Sequence, residues 1–81
     1  MSLTSRQLEI LRFVAGTTDA RGYPPTLREI GAAFRISSTN GVSDHLKALL
    51  RRGVVSRETR RSRTLVVTTA GRVALQQGAL P

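Results

Sequence analysis

The sequence predicts a mainly α-helical fold carrying a small β-hairpin: a winged helix-turn-helix, with a three-helix core, a two-stranded wing and a short C-terminal helix. Three observations lead there. Within the stretch from Pro24 to Gly53, two amphipathic helix patterns are joined by the short turn Arg35-Ile36-Ser37. A third, capped helix pattern precedes them. After Gly53 the period switches from helical to extended, in two β-branched runs around an arginine-rich loop. The chain has 81 residues, enough for a single domain over residues 1–81 and too few for a second.

Thr4 followed by Gln7 is a capping-box pattern, so the first helix starts at about Ser5. Ile10, Phe13 and Val14 share one side, Leu11 lies on its flank, and Arg6, Glu9 and Arg12 face water. Thr17 to Gly22 reads as a polar loop, with turn chemistry at Asp19 and Gly22. Tyr23 is expected to pack on the core. Pro24-Pro25 keeps the chain extended, and Thr26 with Glu29 repeats the capping box. The second helix carries Leu27, Ile30 and Phe34 on one side. Ser38 is the N-cap of the third helix, which buries Val42, Leu46, Leu49 and Leu50. Its other face shows Thr39, Asn40, Ser43, Asp44, Lys47 and Arg51 until Gly53 stops it.

Val54 to Arg57 and Thr64 to Thr68 are the two strand signals, with Glu58 to Arg63 as the charged turn of the wing. Arg57, Arg60, Arg61 and Arg63 crowd into this segment and repel one another unless an anion neutralises them. A phosphate backbone supplies that anion. A last helix is expected over Arg72 to Gln77, burying Val73 and Leu75, to cover the hairpin or make a dimer contact.

Composition narrows the function. Thirteen Lys and Arg stand against five Asp and Glu, a net charge of +8, and Lys47 is the sole lysine, so twelve of the thirteen are arginine. The guanidinium fork suits phosphates and guanine edges, and a small basic domain is the electrostatic mark of a polyanion binder. In the helix-turn-helix layout the second helix of the pair enters the DNA major groove and its first residues meet base edges. No cysteine is present, which removes disulfides and thiolate metal sites. His45 is the sole histidine and has no nucleophile or second ligand in its pattern, so neither catalysis nor a metal centre is expected, and no cofactor. No signal-peptide run and no long apolar run appear, so a cytoplasmic, nucleoid-associated protein of bacterial or phage origin is expected, without a membrane partner.

The strings LTSRQLEIL, GYPPTLREIGAAF and DHLKALLRRGV resemble the N-terminal DNA-binding domain of the LexA family of SOS-response repressors. The likeness runs from Leu3 to Val55, departs at the wing, which is longer and richer in arginine than the family's, and is expected to stop after it. The resemblance implies that Ser38, Asn40, Gly41, Ser43 and Asp44 occupy base-reading positions; Gly41, Ser43 and Asp44 depart from the family's residues there, which implies a different operator. It also implies a second, self-cleaving Ser-Lys protease domain that dimerises. With Lys47 inside the third helix no such dyad can form here, so the chain is either an excised DNA-binding domain or a freestanding regulator. Ala70-Gly71 resembles the dipeptide the family cleaves, but it follows the strand directly and opens a helix.

The expected function is sequence-specific binding of double-stranded DNA by a transcriptional regulator that represses by occlusion. Asn40 is suited to adenine N6/N7, Asp44 to cytosine N4 and Ser38 to a base edge or phosphate; Lys47, Arg51 and Arg57, Arg60, Arg61 and Arg63 are suited to phosphates. A palindromic operator, a homodimer on DNA and a regulatory protein partner are the expected associations. The alternatives are a winged-helix protein-interaction module, which would expose an apolar patch, and an RNA-binding domain, which would offer stacking aromatics.

Overall fold

A computed structural model describes residues 3–58 and 64–78. Three helices, α1 (Ser5–Arg21), α2 (Leu27–Phe34) and α3 (Thr39–Arg51), are followed by strands β1 (Val55–Glu58) and β2 (Thr64–Val67) and by helix α4 (Thr69–Gly78). The strands pair antiparallel, with Val55 opposite Val67 and Arg57 opposite Leu65.

Local hydrogen bonds set the helix starts. The Gln7 N–H donates to the Thr4 hydroxyl and the Thr4 N–H to the Gln7 side chain, both at 3.1 Å. Thr26 and Glu29 repeat the arrangement at α2, at 3.1 and 2.8 Å. Each box satisfies donors that a helix start otherwise leaves orphaned. Ser38 caps α3 by accepting from the Asn40 N–H at 3.1 Å. Helix α2 ends on Arg35 at φ +56°, the one non-glycine residue with positive φ among the described residues. A left-handed L-residue costs about 1–2 kcal/mol, which glycine would avoid.

The core is one cluster: Ile10, Leu11 and Val14 from α1, Ile30 from α2, Val42, Leu46 and Leu49 from α3, and Val54, Val55 and Leu65 around the hairpin. Each such side chain contributes about 1.5–3 kcal/mol by leaving water. Leu11, expected on the flank of α1, is fully buried, whereas Phe13 is half-buried and forms an edge-on pair with Phe34 at 5.6 Å. Leu50 is likewise half-buried, at the margin of the core.

Three expectations are overturned. The loop over Thr17 to Gly22 is helix: α1 continues to Arg21, the Thr18 hydroxyl donates back to the Val14 carbonyl at 2.8 Å, and Gly22, at φ +88°, closes the helix. Tyr23 is 59% exposed and lies under the Arg21 guanidinium, 4.2 Å from its ring centre. The last helix starts three residues early, at Thr69, because the Thr68 hydroxyl accepts from the Gly71 N–H at 3.1 Å. Its buried face is then set by Gly71, where a Cβ would overlap the Val54 carbonyl oxygen. Ala74 and Leu75 pack on the core, and Val73 points outward, 44% exposed. The Arg72 guanidinium reaches back to Asp19 through two bonds of 2.8 and 2.9 Å and ties α4 to the end of α1.

Arg21 also organises the segment before α2. Its guanidinium donates to the carbonyls of Tyr23 and Pro24 and makes a bidentate pair with Glu29, at 2.6 and 3.0 Å. The Arg21 pair, assisted by the Thr26 N–H, holds the Glu29 carboxyl down at about 2 against an ordinary 4.5. Arg72 shifts Asp19 in the same direction. A carboxyl depressed on folding stabilises the fold above its unfolded value and loses that contribution as protons bind. Melting temperature is therefore expected to fall as pH drops from about 4.5 towards about 2, and Glu29→Gln is expected to flatten that fall in a pH series of thermal melts.

Candidate nucleic-acid interface

Helix α3 lies across the core with Val42, Leu46 and Leu49 inward. The opposite side is the candidate surface. Asn40, Asp44, Lys47 and Arg51 are exposed at spacings of four, three and four, so they form one stripe along the helix. Ser38 and Thr39, also exposed, stand at its N-terminal end. Thirteen residues of α3 span roughly 20 Å at ~1.5 Å per residue, and a helix of ~10–12 Å diameter matches a B-DNA major groove of ~12 Å.

The other predicted site residues are placed differently. Ser43 is half-buried beside the stripe. Gly41 is half-buried too, and a Cβ there would stand 2.9 Å from Ile36 Cγ2. Its bareness lets the turn residue Ile36 pack against the start of α3, so packing alone accounts for glycine at this position. Arg57 shares the inward face of β1 with buried Val55 and stands opposite buried Leu65. It lines a cleft of about 170 Å³ with Pro24, Pro25, Leu27 and Leu46. Its side chain is exposed and borders this cleft beside Leu65 and the α3 residue Leu46. Arg60, Arg61 and Arg63 lie outside the described residues.

The charge is sorted by partner. Glu9 pairs with Arg6 at 3.7 Å, Asp19 with Arg72 and Glu29 with Arg21, none of them a residue of α3. Arg28, Arg35, Lys47, Arg51 and Arg57 have no carboxylate partner among the described residues. Asp44 is the one carboxylate on the stripe. His45, half-buried beside it, belongs to no group of three metal-ligating side chains among the described residues. No helix there is long and apolar enough to cross a membrane.

Sequence reasoning passed over Arg28 and Ser37, which line a second cavity, of about 220 Å³, between α2 and the first turn of α3. Arg28 reads as an ordinary exposed helix residue; only the crossing of the two helices brings it beside Ser37 and Thr39.

A family model described as the LexA DNA binding domain matches residues 1–64. The chain is 59% identical over 76 residues to the LexA repressor of Anaeromyxobacter dehalogenans, covering 94% of this chain and 33% of that protein. It is 54% identical over 77 residues to the LexA repressor of Myxococcus xanthus, covering 95% and 35%, and 49% identical over 69 residues to that of Geobacter metallireducens, covering 85% and 34%. The chain thus spans about a third of the length of the curated relatives it matches. The likeness does not stop after the wing, as the strings alone suggested; an alignment over 94% of the chain carries it through the hairpin and into α4.

Proposed function

Because the chain belongs to the LexA DNA-binding domain family, we propose that it binds double-stranded DNA sequence-specifically and acts as a transcriptional repressor by occluding the promoter. The observation that carries this reading is the exposed stripe Asn40, Asp44, Lys47 and Arg51 on a helix whose other side is locked into the core. With α3 in the major groove, Asn40 offers its amide to adenine N6/N7 and Asp44 accepts from cytosine N4. Thr39, Ser43 and the backbone at Gly41 line the same end of the helix. Lys47, Arg51 and the wing arginines Arg60, Arg61 and Arg63 hold phosphates, which fix register without carrying sequence. Ser38 serves first as the helix cap, and its hydroxyl keeps a lone pair and a proton for a base edge or phosphate. One copy reads a half-site, and two copies on a palindrome gain by avidity. Such a domain works by binding and has no catalytic step of its own.

An RNA reader is disfavoured by the aromatics: Phe13 and Phe34 pack on each other, and the Tyr23 ring is covered on one face by Arg21. Selection of fragments from a random duplex pool, followed by gel shifts against random duplex and single-stranded RNA, tests the reading. No enrichment, or equal binding of RNA, refutes it. On the selected duplex, Asn40→Ala is expected to weaken binding by about 1–3 kcal/mol while leaving random duplex nearly untouched. Equal losses on both would remove Asn40 from base reading.

A further inference from the structure

We propose that Arg28, with the hydroxyls of Ser37 and Thr39, forms a seat for one phosphate of the DNA backbone beside the recognition helix. The proposal rests on the reading of α3 just given. The seat is the cavity of about 220 Å³ between α2 and the start of α3. Gly31, Ile36 and Val42 supply apolar lining, and Arg28, Ser37 and Thr39 supply polar lining. Gly31 keeps it open, since a Cβ there would lie 3.0 Å from the Ile36 carbonyl oxygen and 3.5 Å from Val42 Cγ2.

Two observations give the cavity its ligand class. The first is that its donors are unspent. Arg6, Arg21 and Arg72 are each held by a carboxylate, whereas the Arg28 guanidinium and the Ser37 and Thr39 hydroxyls have no partner among the described residues. An exposed guanidinium beside two exposed hydroxyls, with no acidic side chain in the lining, suits an anion bearing several acceptor oxygens. The second is position. Thr39 belongs both to this cavity and to the exposed end of α3, directly before Asn40. When α3 enters the major groove, one of the strands bordering that groove must pass the N-terminal end of the helix. A phosphate there meets the cavity, and the contact fixes how deeply Asn40 reaches toward the bases. Free inorganic phosphate has the same oxygens, so the test separates the two sources.

The experiment uses the selected duplex and a series in which single backbone phosphates are replaced by neutral methylphosphonates. Wild type is expected to lose about tenfold in affinity when one particular phosphate flanking the half-site is neutralised. Arg28→Ala is expected to be about tenfold weaker on the unmodified duplex, to be indifferent at that position alone, and to lower the slope of log K against log salt by about 0.9. Arg28→Lys, which retains charge and stem, should keep the slope and recover only part of the affinity; it also serves if the alanine variant melts. An Arg28→Ala variant with the wild-type methylphosphonate map and slope, still preferring selected to random duplex, overturns the seat and leaves the reading of α3 standing. So does stabilisation of wild type, and not of Arg28→Ala, by inorganic phosphate with no position in the map affected. A wild type that never prefers the selected duplex takes down both.

Discussion

Leu46→Ala is expected to destabilise the domain by about 2–5 kcal/mol, and Leu49→Ala to fall higher in the same range. Leu46 is 3% exposed and Leu49 fully buried, both on the inward face of α3. The difference between them comes from surroundings. Leu46 lines the cleft shared by Pro24, Pro25, Arg57 and Leu65, so its loss widens an opening that water already reaches. Leu49 is fully buried, and its truncation leaves a void whose walls lose their contacts outright. In a domain of this size each kcal/mol moves the melting temperature by roughly 4–8 °C, so the Leu49 variant is expected to be largely unfolded at 37 °C. Thermal melts of the two variants check both size and order. A Leu46 variant melting like wild type would mean that α3 presents its other side to the core, and the whole assignment of the stripe would go with it.

The second large effect is expected at the wing. Replacing Arg60, Arg61 and Arg63 by Ala removes three charges; each phosphate contact contributes about 0.9 to the salt slope on duplex DNA, so the slope should flatten by about two to three units. At physiological salt that amounts to roughly a hundredfold in affinity. Selected and random duplexes should weaken alike, because phosphates carry no sequence. An arginine that enters the minor groove would add a larger loss on duplexes with A·T-rich flanks, where the groove is narrow and more negative. Salt titrations on two duplexes differing only in flank measure both; an unchanged slope would take the wing out of the interface. Arg57 is left out of this triple substitution because it stands on β1, opposite Leu65, and lines the cleft with Leu46, so its loss would be harder to read as charge alone.

What was legible in the sequence was what depends on neighbours three or four residues away. The Thr4 and Thr26 boxes, the Ser38 cap and the inward row Val42, Leu46 and Leu49 are local in this sense, and so is the stripe on the far side of α3. The errors arose where a distant residue decides. Asp19 looked like turn chemistry because its partner, Arg72, is 53 residues away. Leu11 and Phe13 exchanged roles because α1 packs against several elements at once, which widens its buried face beyond one row. Beyond these errors, strand pairing also determines the face on which Arg57 stands, opposite Leu65, which a count of basic residues along the chain does not reveal. The cavity at Arg28 exists only where α2 crosses α3, so composition grouped that arginine with the ordinary solvated charges. The glycines carry a distant constraint of the same kind: a Cβ at Gly41 would crowd Ile36 and one at Gly71 would overlap the Val54 carbonyl oxygen, close approaches that local spacing does not show.

The Ala70-Gly71 peptide bond lies inside α4, and Gly71 is sealed against Val54 and Val67. Proteases take their substrates as extended strands, and a bond in a docked helix has neither the shape nor the room to enter a cleft. Cutting there requires α4 first to peel away, breaking the Arg72–Asp19 clamp and the Thr68 hydroxyl's 2.6 Å bond to the Gly53 carbonyl. The rate of nicking at this dipeptide is therefore gated by a local opening equilibrium, and a protease added in solution becomes a clock for how often the last helix lets go.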